Sequence, residues 1–231
     1  IYKCWSDYNR KLFKRAAKIF TLSKGMAEQL TNYTTQDKIK VIPNWSGSDN
    51  FSPVPKEENP FIKKQNLDNK FIVLYSGNIG FTHCVDTIVE VAKILENDRN
   101  ICFLFIGEGG KKDNLIQKSK QYNLNNCIFL SWQPSEFLRY SLASADIAVI
   151  TLNDENAALS VPSKTYNLLA VGTPLLCIVP ENSELVTLVK KYQNGICYTK
   201  DRLMDIAEYI ANLSKDKELQ KKLSCNSVKA S

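Results

Sequence analysis

The sequence predicts an α/β fold built on a doubly wound parallel sheet, and three features of its pattern predict it. Six short apolar runs recur at intervals of about 20–30 residues: Phe71–Tyr75, Ile101–Ile106, Cys127–Leu130, Ile147–Leu152, Pro174–Val179 and Gly195–Tyr198. They are rich in Ile, Val, Leu and Phe and carry almost no charge, as strands covered on both faces do. Between them lie stretches of helical period. Val85, Ile88, Val89, Ala92 and Leu95 recur at three and four residues while Asp86, Glu90 and Lys93 point the other way. Strands alternating with helices require right-handed crossovers, and hence a parallel sheet with helices on both faces.

Three segments are expected. Residues 1–50 read as the tail of a separate unit. A basic helix precedes Ile19-Phe20-Thr21-Leu22, a helix opens near Ser23, and an extended Lys40-Val41-Ile42-Pro43-Asn44 follows. Two strands cannot bury a core alone, so this unit must pack on something else. Residues 51–69, with Pro53, Pro55, Pro60 and mixed charge, read as a connector. Residues 70–231 form the main domain. Beyond Arg202 a helix carries Leu203, Ile206, Ala207, Ile210 and Leu213 on one stripe, ahead of a polar end at Ser224–Ser227.

Composition narrows the class. The 231 residues are 44% apolar and 23% charged, too apolar for disorder. No apolar run approaches the roughly 18 residues of a membrane span, and the start shows no signal-peptide layout. Ile1 is not an initiator Met, which fits a trimmed chain or a fragment. Seven cysteines show no C-x-x-C spacing, which favours free thiols and a reducing, cytoplasmic location. Residues 1–40 hold nine Lys/Arg against three Asp/Glu, the whole of the net charge of +6. Arg10, Lys11, Lys14, Arg15 and Lys18 give one helix a basic face, either plainly solvated or resting on anionic lipid at the inner face of the plasma membrane. No nucleic-acid motif accompanies it.

Open parallel sheets bind ligands beyond the carboxyl ends of their strands. Three strand-to-helix turns there suit an anion. In Ser76-Gly77-Asn78-Ile79-Gly80-Phe81-Thr82-His83, Gly77 and Gly80 either serve a tight turn alone or let backbone amides approach a phosphate, and His83 is either a plain surface residue or a donor. In Gly107-Glu108-Gly109-Gly110, Glu108 either accepts from ligand hydroxyls or caps the next helix, and Gly109 keeps the loop thin. The third turn carries most of the signal. Ser163 suits an N-cap, and Gly172 with Pro174 suits a stop, leaving a helix of about eight residues. Lys164 stands at the positive end of that helix, where a cation is disfavoured unless an anion visits. Its ammonium, the Ser163 hydroxyl and the free amides would cradle a diphosphate, with Asn167 one turn on facing sugar hydroxyls.

Val41-Ile42-Pro43-Asn44, Tyr75-Ser76-Gly77-Asn78-Ile79-Gly80, Phe105-Ile106-Gly107-Glu108-Gly109 and Pro162-Ser163-Lys164-x-x-Asn167-x-x-Ala170-x-Gly172-x-Pro174 occur in this order. Together they resemble the C-terminal, donor-binding half of retaining family 4 glycosyltransferases of the GT-B fold. The likeness is to bacterial enzymes of O-antigen, capsule and colanic-acid assembly, and it covers residues 10–225. The resemblance implies a Rossmann-like donor domain with a remnant of the acceptor-side domain before it. A UDP- or GDP-sugar would place its base near Trp132 and Gln133 and its ribose near Asn167. Its diphosphate would lie between Gly77–Gly80 and Ser163. The sugar would pass, with retained configuration and neither metal nor other cofactor, to a saccharide or lipid-linked acceptor.

Two departures from the family pattern bear on catalysis. Its Arg/Lys pair falls on Asn78 and His83, and its glutamate pair falls on Leu159 and Asn167. Leu159 cannot hydrogen-bond a sugar, so either Ser160, Glu155 or backbone replaces it or the chain handles its donor differently, and the catalytic residues are left unassigned. Alone, the chain is expected to bind donor and to transfer sugar poorly or not at all. Two other readings stand beside this one. A non-catalytic sugar-nucleotide-binding module would account for the departures. A nucleotide-sugar epimerase or NAD-dependent oxidoreductase would share the sheet, but G-x-G-x-x-G is absent.

Overall fold

The computed structural model describes residues 2–45, 51–80, 84–153 and 161–231. Six strands form one parallel sheet: β3 (Phe71–Ser76), β4 (Ile101–Ile106), β5 (Cys127–Leu130), β6 (Ile147–Thr151), β7 (Leu175–Ile178) and β8 (Gly195–Tyr198). Their order is β5-β4-β3-β6-β7-β8. The chain therefore winds outward from β3, returns, and winds outward again from β6. The seam between β3 and β6 is the topological switch point, where the two crossovers part and leave a crevice.

Alternation along each strand fills two cores. Ile72 and Leu74 point to one face, against Phe61 and Ile62 of α3 (Pro60–Gln65) and Leu168 and Leu169 of α7 (Lys164–Ala170). Leu142 of α6 (Ser135–Leu142) and Leu185 and Val189 of α8 (Glu184–Tyr192) complete that layer. Val73 and Tyr75 point to the other face. There they meet Val85, the Ile88 and Val89 of α4 (Asp86–Ile94) and Leu115 of α5 (Lys112–Gln121), with Ile206 and Ile210 of α9 (Leu203–Lys215). Both faces are covered, as the uninterrupted apolar runs predict.

Residues 51–69, read as a connector, supply part of the core. Asn59 caps α3 by accepting from the Phe61 amide at 3.0 Å, Pro60 fits the first turn, and Phe61, Ile62 and Leu67 are buried. Each large apolar side chain so placed stabilises the fold by about 1.5–3 kcal/mol. The polar end of the chain is likewise structured. Asp216 caps α10 (Lys217–Ala230) through the Leu219 amide at 2.8 Å, and Ser227 is buried with its hydroxyl on the Leu223 carbonyl.

The first residues form α1 (Tyr2–Arg15), β1 (Ile19–Thr21), α2 (Lys24–Leu30) and β2 (Ile39–Val41). The two strands pair in parallel as a sheet of their own. Ser23 caps α2 through the Met26 amide, as its position suggested. The Gly25 amide donates to Glu184 Oε1 at 2.6 Å, joining α2 to the start of α8. Trp5, Tyr8 and Leu12 are exposed on α1. No described helix is long and apolar enough to cross a membrane, and all seven cysteines are free thiols.

Below the sheet, Asp146 pins the start of β3 to β6. Its carboxylate accepts from the Ile72 amide at 2.7 Å and pairs with the Lys56 ammonium. The Asp146 side chain is almost wholly buried, so truncation leaves the Ile72 amide without its acceptor and the Lys56 ammonium with only the Lys70 carbonyl, at 3.0 Å. Asp146→Ala is expected to cost about 2–4 kcal/mol. A lowered urea midpoint with an unchanged denaturant slope would be the signature.

Candidate functional site

The turns after β3 and β4 are zipped together beyond the sheet. Gly77 N–H donates to the Ile106 carbonyl at 2.9 Å, Ile79 N–H to Glu108 at 2.8 Å and Lys111 N–H to Ile79 at 3.0 Å. This close approach needs glycine at two positions. A Cβ on Gly107 would lie 2.0 Å from the Gly77 carbonyl oxygen, and one on Gly109 would lie 2.4 Å from that of Ile79. The Tyr75 hydroxyl donates to the Asn78 carbonyl at 2.8 Å and props the first turn from beneath. Burial raises the Tyr75 pKa, so the phenol keeps its proton for that bond.

Lys164, the first residue of α7, reaches across the switch point into this platform. Its ammonium stands 4.5 Å above the centre of the Tyr75 ring and 2.6 Å from where a Gly77 Cβ would be. Gly77 is thus the gap into which the ammonium fits. No carboxylate pairs with Lys164 among the described residues, and burial alone lowers its pKa to about 8. A cation held without a counter-ion beside a glycine turn and the tip of a helix is an arrangement an anion completes.

The helix tip differs from the sequence-based expectation. Ser163 occupies the position before α7, but its backbone is helical and its exposed side chain makes no capping bond. The amides of Thr165 and Tyr166 already donate to the carbonyls of Pro162 at 2.9 Å and Ser163 at 3.2 Å. The tight first turn thereby uses donors that the diphosphate cradle counted as free. The Lys164 ammonium, the exposed Ser163 hydroxyl and the amides of Ser163 and Lys164 are left at the tip unused by that turn. Asn167 lies one turn further along the same helix and is partly exposed.

The other expected residues are distributed as follows. Asn78 is exposed on the first turn, its side chain close to Gly80 and Gly109. Glu108 is exposed and does not cap α5. It accepts from Lys112 Nζ at 2.8 Å, and hydrogen bonds from Lys112 and Ser131 hold its carboxyl below the usual range. Trp132 and Gln133 follow β5, on the far side of the Glu108 turn. The indole is exposed, and Gln133 donates to the Ser131 carbonyl at 3.0 Å. His83, Glu155, Leu159 and Ser160 lie outside the described residues. The structure thus brings Gly77, Asn78, Gly80, Gly109 and Lys164 together and strings Glu108, Trp132 and Gln133 along the adjoining edge.

Two contributors escaped the sequence reading. Tyr75 was counted as an apolar strand residue, although a tyrosine ending a buried strand brings a hydroxyl that must find a partner. Gly107 reads in sequence as one of several glycines keeping the loop thin, and only the packing of the two turns reveals the contact that excludes a side chain there.

Residues 56–230 match the family described as glycosyl transferases group 1. Two curated bacterial proteins are similar. WbjE of Pseudomonas aeruginosa, named a probable glycosyltransferase, is 24% identical over 77% of this chain and 44% of its own length. WcaI of Escherichia coli K12 is named, with like reserve, a colanic acid biosynthesis glycosyl transferase. It is 29% identical over 75% of this chain and 43% of its own length. The chain thus spans less than half the length of the curated relatives it matches. Among solved structures, HepE of Anabaena in complex with UDP superposes with a TM-score of 0.81 at 16% identity, over 97% of this chain and 62% of HepE. A second HepE structure, with a TM-score of 0.79, contains UDP-glucose. At that identity the likeness establishes the fold alone, and the fold is that of a GT-B Rossmann-like domain.

Proposed function

Because the chain belongs to the glycosyl transferases group 1 family, we propose that it forms mainly the donor-binding half of a sugar-nucleotide-dependent transferase of bacterial surface-polysaccharide synthesis. The donor is a UDP- or GDP-sugar. Its diphosphate rests against Lys164 and the Gly77–Gly80 turn, its base extends toward Trp132 and Gln133, and its ribose faces Asn167. The acceptor is a saccharide or a lipid-linked saccharide. The basic, aromatic-bearing α1 allows peripheral contact with anionic headgroups on the cytoplasmic face.

One observation carries this reading: an ammonium at the switch point, seated over the glycine turn after β3 and paired with no carboxylate among the described residues. Departure of the nucleoside diphosphate puts negative charge on the β-phosphate. A fixed cation in a water-poor crevice stabilises that charge far better than solvent would, without having to reorganise. Lys164 thus fills the electrostatic role that Asn78, lacking charge, cannot. Retention of anomeric configuration, transfer of a hexosyl unit and independence from metal belong to the same proposal and follow the family resemblance. The departures at Leu159 and Asn167 leave the residue facing the sugar unassigned.

Isothermal calorimetry on this chain tests the donor assignment. UDP, GDP and UDP-glucose are titrated separately, with NAD as the contrasting dinucleotide. Binding of at least one nucleoside diphosphate is expected, with none of NAD. Stabilisation by NAD with no response to either diphosphate would favour an oxidoreductase and remove the assignment.

A further inference from the structure

A groove of about 900 Å3 lies along the outer edge of β8 and reaches residues just past the carboxyl ends of β7 and β8, with no residue of the Lys164 site in its lining. Among the described residues β8 is the last strand of the sheet and pairs with β7 alone. Leu175 N–H donates to the Asn194 carbonyl and Val179 N–H to the Tyr198 carbonyl, at 3.0 and 2.9 Å. In a parallel ladder the two peptide groups of one residue point to the same side. Residues 194, 196 and 198 therefore face β7, and the N–H and C=O groups of Gly195 and Cys197 face outward into the groove.

The flanks are apolar and the rim is basic. Val186 and Val189 of α8 form one wall, and Leu219 and Leu223 of α10 form the other. Lys190 and Lys222 stand exposed at the rim, opposed by one lining carboxylate, Glu181. Edge strands are commonly blunted by proline, by inward charge or by a covering element. Gly195-Ile196-Cys197-Tyr198 itself has neither proline nor charge and is four residues long.

We infer that this edge docks an extended segment of a protein partner, one in which apolar residues alternate with Asp or Glu. Its backbone would add a strand to β8, its apolar side chains would enter the walls, and its carboxylates would meet Lys190 and Lys222. The same charges argue against a second copy of this chain. Two-fold pairing of β8 with itself would bring the lysine rims of both copies together, and like charges so placed are destabilising. The inference is independent of the donor reading, because no residue of the Lys164 platform lines the groove.

The test uses this chain and two synthetic probes, acetyl-Val-Glu-Val-Glu-Val-amide and its Lys-for-Glu counterpart. Amide hydrogen exchange is followed by NMR. Without probe, the Gly195 and Cys197 amides should exchange faster than those of Ile196 and Tyr198. The acidic probe should slow exchange at Gly195 and Cys197 about tenfold or more, and the Lys probe should not. Lys190→Glu with Lys222→Glu should weaken the acidic probe about tenfold or more and leave UDP binding unchanged. Cys197→Pro removes an outward N–H that β7 does not use and should abolish docking. If that variant fails to fold, the exposed charge reversals decide alone. Equal binding of both probes, unchanged exchange at both amides, or concentration-dependent self-association protecting the same amides would each overturn the inference.

Discussion

Replacing Lys164 with Met should make the protein more stable and unable to hold a nucleotide sugar. The folded chain buries most of this ammonium with no carboxylate partner among the described residues, and that burial lowers its pKa from 10.5 to about 8. A shift of that size corresponds to a penalty on the order of 3 kcal/mol, with the Tyr75 ring beneath the charge favouring the ammonium in part. Methionine fills a similar volume without that penalty, so the melting temperature should rise by several degrees. UDP-glucose affinity should fall about 100-fold, or ~3 kcal/mol, because the charge-assisted contact to the diphosphate is gone. Unchanged affinity together with unchanged stability would mean that Lys164 is an ordinary surface cation, and the donor-site reading would fail.

The same residue sets a pH dependence whose sign can be fixed in advance. Below about pH 8 the ammonium is charged in the folded state and its burial is unfavourable. Between about 8 and 10.5 the folded state has lost that proton while the unfolded chain retains it. The unfolded state then binds more protons, so this residue's contribution to stability rises with pH across that window. Donor binding runs the other way, since the diphosphate needs the charged form. UDP-glucose affinity should drop about tenfold between pH 7 and 9 in the parent chain and stay flat in the Met variant. A bound diphosphate should raise the lysine pKa again, so calorimetry near pH 8.5 should register proton uptake on binding.

Gly107→Ala should cost at least ~3 kcal/mol and abolish nucleotide binding with it. Its Cβ would sit 2.0 Å from the Gly77 carbonyl oxygen, a backbone atom that can move only if the two turns separate. The φ of +147° adds strain for any residue with a side chain. Separation would break the Gly77–Ile106 and Ile79–Glu108 hydrogen bonds and take Gly77 out from under Lys164. Gly80→Ala is the control. There the nearest atom is the Asn78 side-chain nitrogen at 3.0 Å, free to swing aside, so the change should cost under ~1 kcal/mol. Chemical denaturation of the two variants distinguishes them, and equal midpoints would show that the turns are not locked together.

The sheet was legible because its strands are covered on both faces. Such strands must be apolar throughout, and the six runs fall on the six observed strands to within a residue or two at their ends. The helical stripes were legible for the same reason: Val85, Ile88, Val89 and Ala92 have to meet the sheet, and they do. Where burial rests on few residues the pattern fails. Phe61 and Ile62 carry the core contact of a six-residue helix, too short for a period to emerge from a proline-rich stretch. Along α10 the buried Ser227 satisfies its hydroxyl on the Leu223 carbonyl, so a polar residue occupies a core position and disguises the helix.

At the candidate site, Lys164 stood out because a cation at a helix start runs against the dipole, and that conflict is written in the order of residues. Ser163 misled because a serine in that place usually caps; here the backbone itself turns helical one residue early and consumes the Thr165 and Tyr166 amides. The sequence alone determined the parallel α/β scaffold, the turns that end its strands and the one charge out of place among them. Tertiary structure decided that Tyr75 lies under that charge, that Gly107 must yield its side chain to Gly77, and that β8 ends the sheet with an open edge. These relations join residues tens of positions apart through contacts of a few ångströms, and no local periodicity or propensity encodes a contact made only when the strands are laid side by side.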